Sequence, residues 1–445
     1  MLVVMNHSKL VVTRRPVGDL KPYPKNARRH SRKQLRKIAE SLQRFGWTNP
    51  ILIDENGMVL AGHGRLEAAQ MLGWEFVETI CLAGFSEEEK RAYILADNRI
   101  AEEAGWDRDL LAIEFSTLIE DGFEVELTGF DTIEIDRVLG FDVPSDPDEE
   151  RVDLPDGSEV AVSRPGDVWT VGDQTLINGN ARDPAAYRQM LGDERAQMIF
   201  TDPPYGGSIA GYLPGKGKAK HREFVEGSAN ESGNAFVEGF LLPAFERIAE
   251  NAEDGAIAYV CCDWRHLREF LDATDAAFTE LKNIICWVKT NASLGGFLRS
   301  QHELILACKV KPGKHINNSS MITGGRHRSN VWTMPGANTF RKGRLEDLAA
   351  HSTVKPRKLV SDAILDCSRP GGLILDPCLG SGTTLLSAAA TGRRGRGIEL
   401  DPLYVDVSVR RLEAELGVAA VHSSGDTFQS IAEQRAPAKE AVHGR

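Results

Sequence analysis

A strand-to-helix turn late in the chain constrains the fold more than any other segment. Residues 371–375 form a short apolar run that predicts a buried strand, and the glycine-rich stretch 376–384 then opens a helix. Glycines at such a turn let a ligand approach the backbone closely, although a lone Gly-x-Gly also serves ordinary tight turns. The next predicted strand ends in acids about 20 residues on, where a carboxylate holds ribose hydroxyls in nucleotide sites. The pattern therefore predicts a nucleoside pocket, with the candidate residues Asp376, Cys378, Gly380, Ser381, Gly382, Thr383, Thr384, Glu399 and Asp401.

A second motif places an acid, two prolines and an aromatic ring at the exit of the apolar run 198–200. It consists of Asp202, Pro203, Pro204 and Tyr205. An exocyclic amine on a planar ring has its lone pair delocalised, so a catalyst must accept hydrogen bonds from both N–H groups to make the nitrogen nucleophilic. Asp202 and the Pro203 carbonyl suit that task, Pro204 stiffens the turn, and Tyr205 offers a face on which an extruded base can stack. The plainer interpretation is an Asp-Pro-Pro turn that ends a strand.

The order of elements predicts the fold. Apolar runs that predict strands alternate with helical segments such as 264–270, and they lie at 167–177, 198–200, 256–261, 284–288 and 304–308. This alternation predicts an α/β fold with a doubly wound, mostly parallel sheet. Ligands bind beyond the carboxyl ends of such strands, so Asp202 and Gly380 are expected in one cleft. The strand before Asp376 belongs at the sheet centre but comes late in the chain, which predicts a circularly permuted arrangement.

Together these motifs resemble the β-class DNA amino-methyltransferases, in which Asp-Pro-Pro-Tyr precedes the S-adenosylmethionine motif. The resemblance covers roughly residues 165–415 and includes the segments 287–289, 295–296, 301–306 and 351–356. It implies a circularly permuted Rossmann-like methyltransferase domain with S-adenosylmethionine as cofactor and double-stranded DNA as substrate. It also adds four candidate cofactor residues, Asn180, Thr353, Lys355 and Pro356.

Two positions depart from the family pattern. Ser352 stands where the family usually carries proline, and Gly179-Asn180 stands where it carries Gly-Asp. Lys289, His302 and Glu303 either line the pocket or pack as structural partners of the sheet. The Gly- and Lys-rich loop 206–233 is long enough to act as a flap over the target.

The resemblance implies direct methyl transfer without a covalent enzyme intermediate. Aspartate at the first motif position favours N6 of adenine, whereas serine is more common for N4 of cytosine in this class. N4 of cytosine remains the alternative target. Methylation of RNA or a protein amide, or a ParB-like DNA-binding module with an inactive methylase, are further alternatives. The resemblance leaves open a homodimer, and a restriction or phage partner of a restriction-modification system.

The formal net charge of −11 contrasts with the need for Lys and Arg at DNA phosphates. Two basic segments, 1–50 and 281–360, resolve the contrast. Locally basic surfaces on an otherwise acidic protein suit local docking of a polyanion. A solvated basic face is the alternative interpretation. The second segment lies between catalytic motifs, where target recognition is expected, and its DNA-binding candidates are Arg326, Arg328, Arg341, Lys342 and Arg344.

Length and composition predict several domains. The chain of 445 residues is longer than a single hydrophobic core usually supports. The acidic stretch 141–160 has few apolar residues and predicts a linker between an N-terminal domain, 8–140, and a catalytic domain, 161–417, with a flexible tail at 418–445. No apolar run reaches about 18 residues, which favours a soluble cytoplasmic protein. The seven cysteines lack Cys-x-x-Cys spacing, so we expect reduced core cysteines and no metal.

The N-terminal domain resembles the ParB/sulfiredoxin-like domains. Gly62, His63, Gly64 and Arg65 occupy the place of that family's phosphate-binding Gly-x-x-Arg turn. Glycines before a helix N-terminus together with an arginine make a phosphate or nucleotide site. An equal alternative is that the glycines only shape the turn while Arg65 pairs with a local acid. Docking on DNA is the expected role, and a nuclease is not expected, since Asp97 and His63 do not form a metal site.

Overall fold

A computed structural model describes residues 10–28, 30–103, 106–141, 160–205, 233–290, 298–318, 328–334 and 355–436. The chain divides into two compact units, residues 1–139 and 140–445. Some predicted features lie outside the described residues: most of the linker, the loop 206–232, Gly295-Gly296, and the candidates Arg326, Arg341, Lys342, Arg344 and Thr353.

The N-terminal unit combines a small sheet with helices. Its strands are β1 (Val12–Pro16), β2 (Ile51–Ile53), β3 (Val59–Ala61) and β4 (Phe76–Cys81). Its helices are α1 (Arg32–Phe45), α2 (His63–Met71), α3 (Glu87–Glu103), α4 (Arg108–Glu120) and α5 (Thr132–Val138).

The sheet of this unit has the order β1-β4-β2-β3. Strands β2 and β3 pair antiparallel around a turn at Gly57, whose φ of 77° is in the left-handed region that favours glycine. Helix α1 begins at Ser31, whose hydroxyl accepts a hydrogen bond from the Gln34 N–H, and it buries Leu35, Ala39 and Leu42. The N-terminal unit thus contains a β-hairpin and a helix with one apolar face.

Helices α4 and α5 form a small cluster that the sequence analysis did not predict. Phe115, Val125 and Ile135 make its core. Asp131 caps α5 in a capping box with Glu134, which fixes the start of this short helix.

The C-terminal unit is built on a ten-stranded sheet. The strands are β5 (Val168–Val171), β6 (Gln174–Asn178), β7 (Ala196–Thr201), β8 (Ala252–Cys262), β9 (Glu280–Val288), β10 (His302–Lys309), β11 (Val331–Thr333), β12 (Leu373–Asp376), β13 (Arg394–Glu399) and β14 (Val421–His422). The helices are α6 (Pro184–Leu191), α7 (Leu242–Glu250), α8 (Leu267–Ala277), α9 (Arg357–Cys367), α10 (Thr383–Ala390), α11 (Pro402–Leu416) and α12 (Phe428–Arg435). A π-helical segment, Val237–Leu241, leads into α7.

The sheet order is β11-β9-β10-β8-β7-β12-β13-β6-β5-β14. The five central strands, β8-β7-β12-β13-β6, run parallel, whereas β10 and β5 pair antiparallel with their neighbours. Strand β12 lies between β7 and β13 although nearly the whole domain precedes it in the chain. The predicted mostly parallel, doubly wound sheet and its permuted order are confirmed.

Apolar layers cover both faces of this sheet. Phe236, Phe245 and Phe270 belong to one large cluster, and Trp287, Leu359 and Ile364 belong to another. The cysteines are free thiols, and Cys261, Cys262, Cys308 and Cys367 are buried in these layers while the remaining three are partly buried. Reduced cysteines in apolar surroundings match the prediction.

The predicted flexible tail at 418–445 is wrong for residues up to 436. Helix α12 buries Phe428 and Ile431, and the Phe428 ring packs edge-on against Trp169 with centroids 5.0 Å apart. Arg435 forms an ion pair with Asp167, which ties the helix to the start of β5. Apolar side chains one helical turn apart, at 428 and 431, are the signal that the sequence analysis overlooked.

Candidate active site

The Asp-Pro-Pro-Tyr motif lies directly beyond the carboxyl end of β7. Burial of Met198, Ile199 and Phe200 fixes that strand in the sheet, so Asp202 is held at its edge. The Tyr205 hydroxyl donates a hydrogen bond of 2.5 Å to Asp202 Oδ1. Burial first, and then the Asp202 charge, raise the pKa of Tyr205 well above its ordinary value, so the phenol remains a donor. The motif therefore presents a carboxylate whose geometry is fixed by its own tyrosine.

The Tyr205 ring packs against the protein on one side. Its centroid lies 6.1 Å from that of Phe270, in an edge-on arrangement. Phe270 is fully buried on α8, so it supports the tyrosine from the core.

The glycine-rich turn lies beyond the next strand of the sheet. Strand β12 pairs in parallel with β7 on one side and with β13 on the other. Consequently Asp202, Asp376 and Glu399 follow one another along a single sheet edge, as the sequence predicted for the two loops. Asp376 accepts hydrogen bonds from the Thr384 hydroxyl at 2.6 Å and the Cys378 N–H at 3.1 Å, which shapes the turn.

Gly380 and Gly382 play different parts in the turn. Gly380 has φ 57°, and no atom of the described residues lies within 4 Å of the position that a Cβ would take, so its outer side is open to that part of the chain. Gly382 has φ 88°, and a Cβ there would meet the Ser408 hydroxyl at 2.8 Å. Gly380 thus leaves room for a ligand, whereas Gly382 allows α10 to pack closely on α11.

Glu399 faces the turn from the end of β13. Its carboxylate accepts hydrogen bonds from the Gly380 N–H at 2.7 Å and from the Asp401 N–H at 2.8 Å. Burial raises the pKa of Glu399 to about 7 and that of Asp376 also to about 7. The buried Asp376 and the half-buried Glu399 lie at the ends of parallel strands, beside a glycine opening, and they suit a ligand with hydroxyl or amino groups.

The other candidate cofactor residues have local structural partners. Asp401 accepts a hydrogen bond from the Leu403 N–H and caps α11. Arg411 donates to the Ser381 carbonyl and hydroxyl at 2.5 and 3.2 Å, which braces the turn. Asn180 follows β6, the neighbour of β13, and its side chain accepts from the Arg182 N–H at 2.9 Å. Pro356 precedes the first residue of α9. Contact of these residues with a cofactor remains a prediction.

Lys355 was predicted on the cofactor side, but the structure places its ammonium on Asp202. Lys355 Nζ pairs with Asp202 Oδ2 and lies 3.5 Å from the Tyr205 hydroxyl. It also lies 3.3 Å from Glu303 Oε2, and Glu303 in turn pairs with Lys289. Burial disfavours the charge, but Asp202 and Glu303 outweigh it and raise the pKa of Lys355 above its ordinary value. Alternating charges thus link four side chains: Asp202 after β7, Lys355 shortly before α9, Glu303 on β10 and Lys289 after β9.

Arg328 does not behave as a DNA-binding side chain in the structure. It donates to Asp366 at 2.8 Å and Asp362 at 3.1 Å, and its guanidinium lies 3.9 Å from the Trp332 ring centroid. Two carboxylates and an aromatic face occupy the guanidinium, and a phosphate contact by Arg328 remains a prediction.

In the N-terminal unit the Gly-His-Gly-Arg turn is folded inward. Gly62 caps α2 with φ 97°, His63 is buried and accepts a hydrogen bond from the Tyr23 N–H, and Arg65 donates to the Pro50 carbonyl at 3.3 Å. Burial lowers the pKa of Arg65, and Asp97 partly offsets this. The glycines shape a turn and Arg65 contacts a backbone carbonyl, and a phosphate or nucleotide site at this turn remains a prediction.

A different set of side chains in this unit lines a cavity of about 350 Å³. Four of them are basic, two are asparagines, and Arg28 donates to Asn98 Oδ1 at 3.0 Å. The polar residues are Tyr23, Lys25, Asn26, Arg28, Arg91, Asn98 and Arg99. This cavity could not be predicted from the sequence because α1, β2, β3, α2 and β4 lie between its two halves in the chain.

Two absences hold for the part of the chain that the structure describes. It contains no cluster of three or more His, Cys, Asp or Glu side chains arranged to hold a metal ion. It also contains no helix long and apolar enough to cross a membrane.

Three family models match the chain. A DNA methylase model matches residues 196–410, a ParB N-terminal domain model matches 4–99, and a ParB-methyltransferase HTH domain model matches 109–165. The last of these covers α4 and α5 and runs across most of the stretch that the sequence predicted as a linker.

Individual proteins give the same two-part picture. The ParB-like nuclease domain-containing protein YnaK of Escherichia coli (strain K12) is 49% identical over 83 residues, 19% of this chain and 95% of that protein. The type II methyltransferase M.HinfI of Haemophilus influenzae is 34% identical over 257 residues, 54% of this chain and 68% of that protein. A solved structure, the M1.HpyAVI–SAM complex, aligns with 54% of this chain and 98% of its own, at 20% identity and a TM-score of 0.40.

Proposed function

The chain belongs to the DNA methylase family that includes the type II methyltransferases, with a ParB-type N-terminal domain, and we propose that it methylates the exocyclic N6 of adenine in double-stranded DNA. The observation that carries the proposal is the fixed Asp202 carboxylate at the end of β7, beside Pro203 and Tyr205.

The motif residues act on the amine of an extruded base. Asp202 and the Pro203 carbonyl accept hydrogen bonds from the two N–H groups, which draws the nitrogen lone pair out of conjugation with the ring. The Tyr205 ring stacks on the base. Because these groups are preorganised in a partly buried site, each charge-assisted hydrogen bond contributes more than it would in water.

The family's cofactor is S-adenosylmethionine, which supplies a sulfonium methyl group. The residues beyond β12 and β13 fit it: Gly380 leaves open space, and Glu399 and Asp376 offer carboxyl groups for hydroxyl and amino groups. We propose that the Glu399 carboxylate accepts hydrogen bonds from the ribose hydroxyls of the cofactor. Its bonds to the Gly380 and Asp401 N–H groups hold the carboxylate in place.

Adenine is preferred over cytosine because the motif begins with Asp202, the residue that the family associates with N6 of adenine. N4 of cytosine is the competing target. The test is incubation of the purified protein with S-adenosylmethionine and mixed-sequence duplex DNA, followed by mass spectrometry of the nucleosides. N6-methyladenine that disappears with Asp202→Ala, but persists with Asp275→Ala on the exposed face of α8, supports the proposal. N4-methylcytosine in its place overturns the adenine assignment.

We also infer that the N-terminal unit docks the enzyme on DNA phosphates. The basic cavity lined by Lys25, Arg28, Arg91 and Arg99 supports this role, because guanidinium and ammonium groups converge there without an acidic lining residue.

A further inference from the structure

Lys355 is enclosed between two carboxylates at the catalytic motif. Its side chain is only 9% exposed, and its Nζ contacts Asp202 Oδ2 and lies 3.3 Å from Glu303 Oε2. Lys289 pairs with the other oxygen of Glu303. Among the described residues, Glu303 Oε2 is buried and has no partner other than the Lys355 ammonium, which lies at 3.3 Å without hydrogen-bond geometry. Two lysines and two carboxylates therefore balance in charge, with one carboxylate oxygen only weakly engaged.

The charge on Glu303 is maintained by its neighbours. Burial would raise the pKa of Glu303, but Lys355 and Lys289 outweigh it and lower the value to about 2. Glu303 is thus an anion near neutral pH, and its Oε2 stays an acceptor.

The Lys355 ammonium occupies an acceptor that the proposed reaction needs. The Tyr205 hydroxyl uses Asp202 Oδ1 and Lys355 uses Asp202 Oδ2, so both oxygens already have a donor. A neutral amine is a weaker donor than an ammonium. Each Asp202 oxygen has two lone pairs, but the Lys355 ammonium is the stronger donor, so the base amine engages Asp202 Oδ2 best when the ammonium has moved away from it.

A buried ammonium cannot leave for an apolar neighbour, because an unpaired buried charge is strongly unfavourable. Glu303 Oε2 lies 3.3 Å from Lys355 Nζ and has no other partner among the described residues. A small rotation of the lysine side chain therefore transfers the ammonium to it. Lys289 can remain on Glu303 Oε1 during this movement.

We propose that Glu303 is a positioning residue that receives the Lys355 ammonium when the target base takes its place on Asp202. This inference rests on the proposed role of Asp202 as acceptor of the base amine. Lys355 then keeps Asp202 paired and ordered in the absence of DNA, and Glu303 frees Asp202 for catalysis.

The first test is Glu303→Gln, which keeps the size of the side chain and removes the charge that receives the ammonium. The single-turnover methylation rate at saturating DNA should fall by about tenfold to a hundredfold, while S-adenosylmethionine affinity stays unchanged. The matched control is Glu280→Gln on β9, where a glutamate also pairs with two lysines, Lys282 at 2.9 Å and Lys309 at 3.0 Å. That control should stay within about twofold of the wild-type rate. A Glu303→Gln enzyme as fast as the control overturns the proposal.

A double-mutant cycle with Lys355→Met separates this role from a merely structural one. Without the ammonium there is nothing for Glu303 to receive, so adding Glu303→Gln to Lys355→Met should cause no further loss of rate. If Glu303→Gln costs the same factor in both backgrounds, Glu303 does not act through Lys355 and the proposal is wrong.

Conservative replacement gives a readout that does not depend on Lys355→Met. Glu303→Asp retains the charge and should recover part of the rate that Glu303→Gln loses. Equal loss in both variants contradicts the proposal. Failure of the proposed function itself would be distinguishable, because the wild-type enzyme would then form no N6-methyladenine in DNA.

Discussion

The Glu399 carboxylate accepts a hydrogen bond of 2.7 Å from the backbone N–H of Gly380, a residue 19 positions earlier in the chain. This bond joins the end of β13 to the glycine turn that follows β12. Since Asp202 lies at the end of β7, on the other side of β12, the sheet itself sets the spacing between cofactor residues and catalytic motif.

The first prediction concerns the catalytic motif. Asp202→Ala and Tyr205→Ala should each abolish detectable methyl transfer, because they remove the amine acceptor and the stacking ring. Loss of one charge-assisted hydrogen bond in such a site costs about 3 kcal/mol, or roughly a hundredfold in rate. Calorimetry should find S-adenosylmethionine affinity nearly intact in both variants. Loss of cofactor binding in both would mean that the motif belongs to the cofactor site.

The second prediction concerns the glycine turn. Gly380→Val should strongly weaken S-adenosylmethionine binding, because a branched side chain would fill the open space at Gly380 and its φ of 57° disfavours valine. Gly417→Val is the matched control, since Gly417 has φ 65°, equally open surroundings and a position at the end of α11. It should share the backbone strain but retain cofactor affinity. Equal affinities for the two variants would make the turn purely structural.

The third prediction concerns pH. The pKa of Glu399 and that of Asp376 are raised by burial to about 7, above their values in an unfolded chain. The folded state therefore binds more protons than the unfolded state between about pH 4.5 and pH 7. The stability that these two groups contribute to the cofactor-free protein should be fully present below that window and fall by a few kcal/mol, in order of magnitude, as pH rises through it. Urea midpoints from pH 5 to pH 8 measure this.

Glu399→Gln provides the control for the pH effect. The glutamine amide does not titrate, so the fall in stability with rising pH should be smaller. The remaining fall should come from Asp376. An unchanged pH profile in this variant would show that Glu399 does not titrate in that window. Cofactor affinity should also drop in Glu399→Gln, but less than in Gly380→Val.

The fourth prediction concerns the basic cavity of the N-terminal unit. Substituting Arg28→Gln and Arg91→Gln together should weaken binding to long DNA and reduce the slope of log K against log salt by about one for each phosphate that the variant no longer neutralises. Methylation at saturating DNA should be unchanged. Arg137→Gln, an exposed residue of α5 outside the cavity, is the control for loss of charge alone. An unaltered salt slope in the double variant would exclude the cavity as a phosphate site.

Much of the catalytic fold could be predicted from the sequence because its signals are local. Apolar runs mark the buried strands, and Asp202 and Gly380 stand directly after two of them, so their shared edge follows from parallel topology alone. The resemblance supplied the cofactor and the reaction class. The predicted nucleoside pocket likewise needed only the spacing between the glycine turn and Glu399.

Contacts between distant segments could not be predicted in this way. Lys355 is separated from Asp202 by 153 residues, and only the packed sheet brings its ammonium to that carboxylate. Arg328 belonged to a basic segment by sequence, yet its partners Asp362 and Asp366 lie on a later helix. The basic cavity likewise joins the residues before α1 to α3. Charge composition indicates a possible partner, but tertiary structure decides which charges are already paired.

The most direct test of the central claim is modification-sensitive sequencing of DNA from cells that express the full chain, compared with cells that express Asp202→Ala. We expect N6-methyladenine at every copy of one short sequence, and its absence with Asp202→Ala. Methylation on cytosine N4, or adenine methylation that persists in the Asp202→Ala cells, would contradict it.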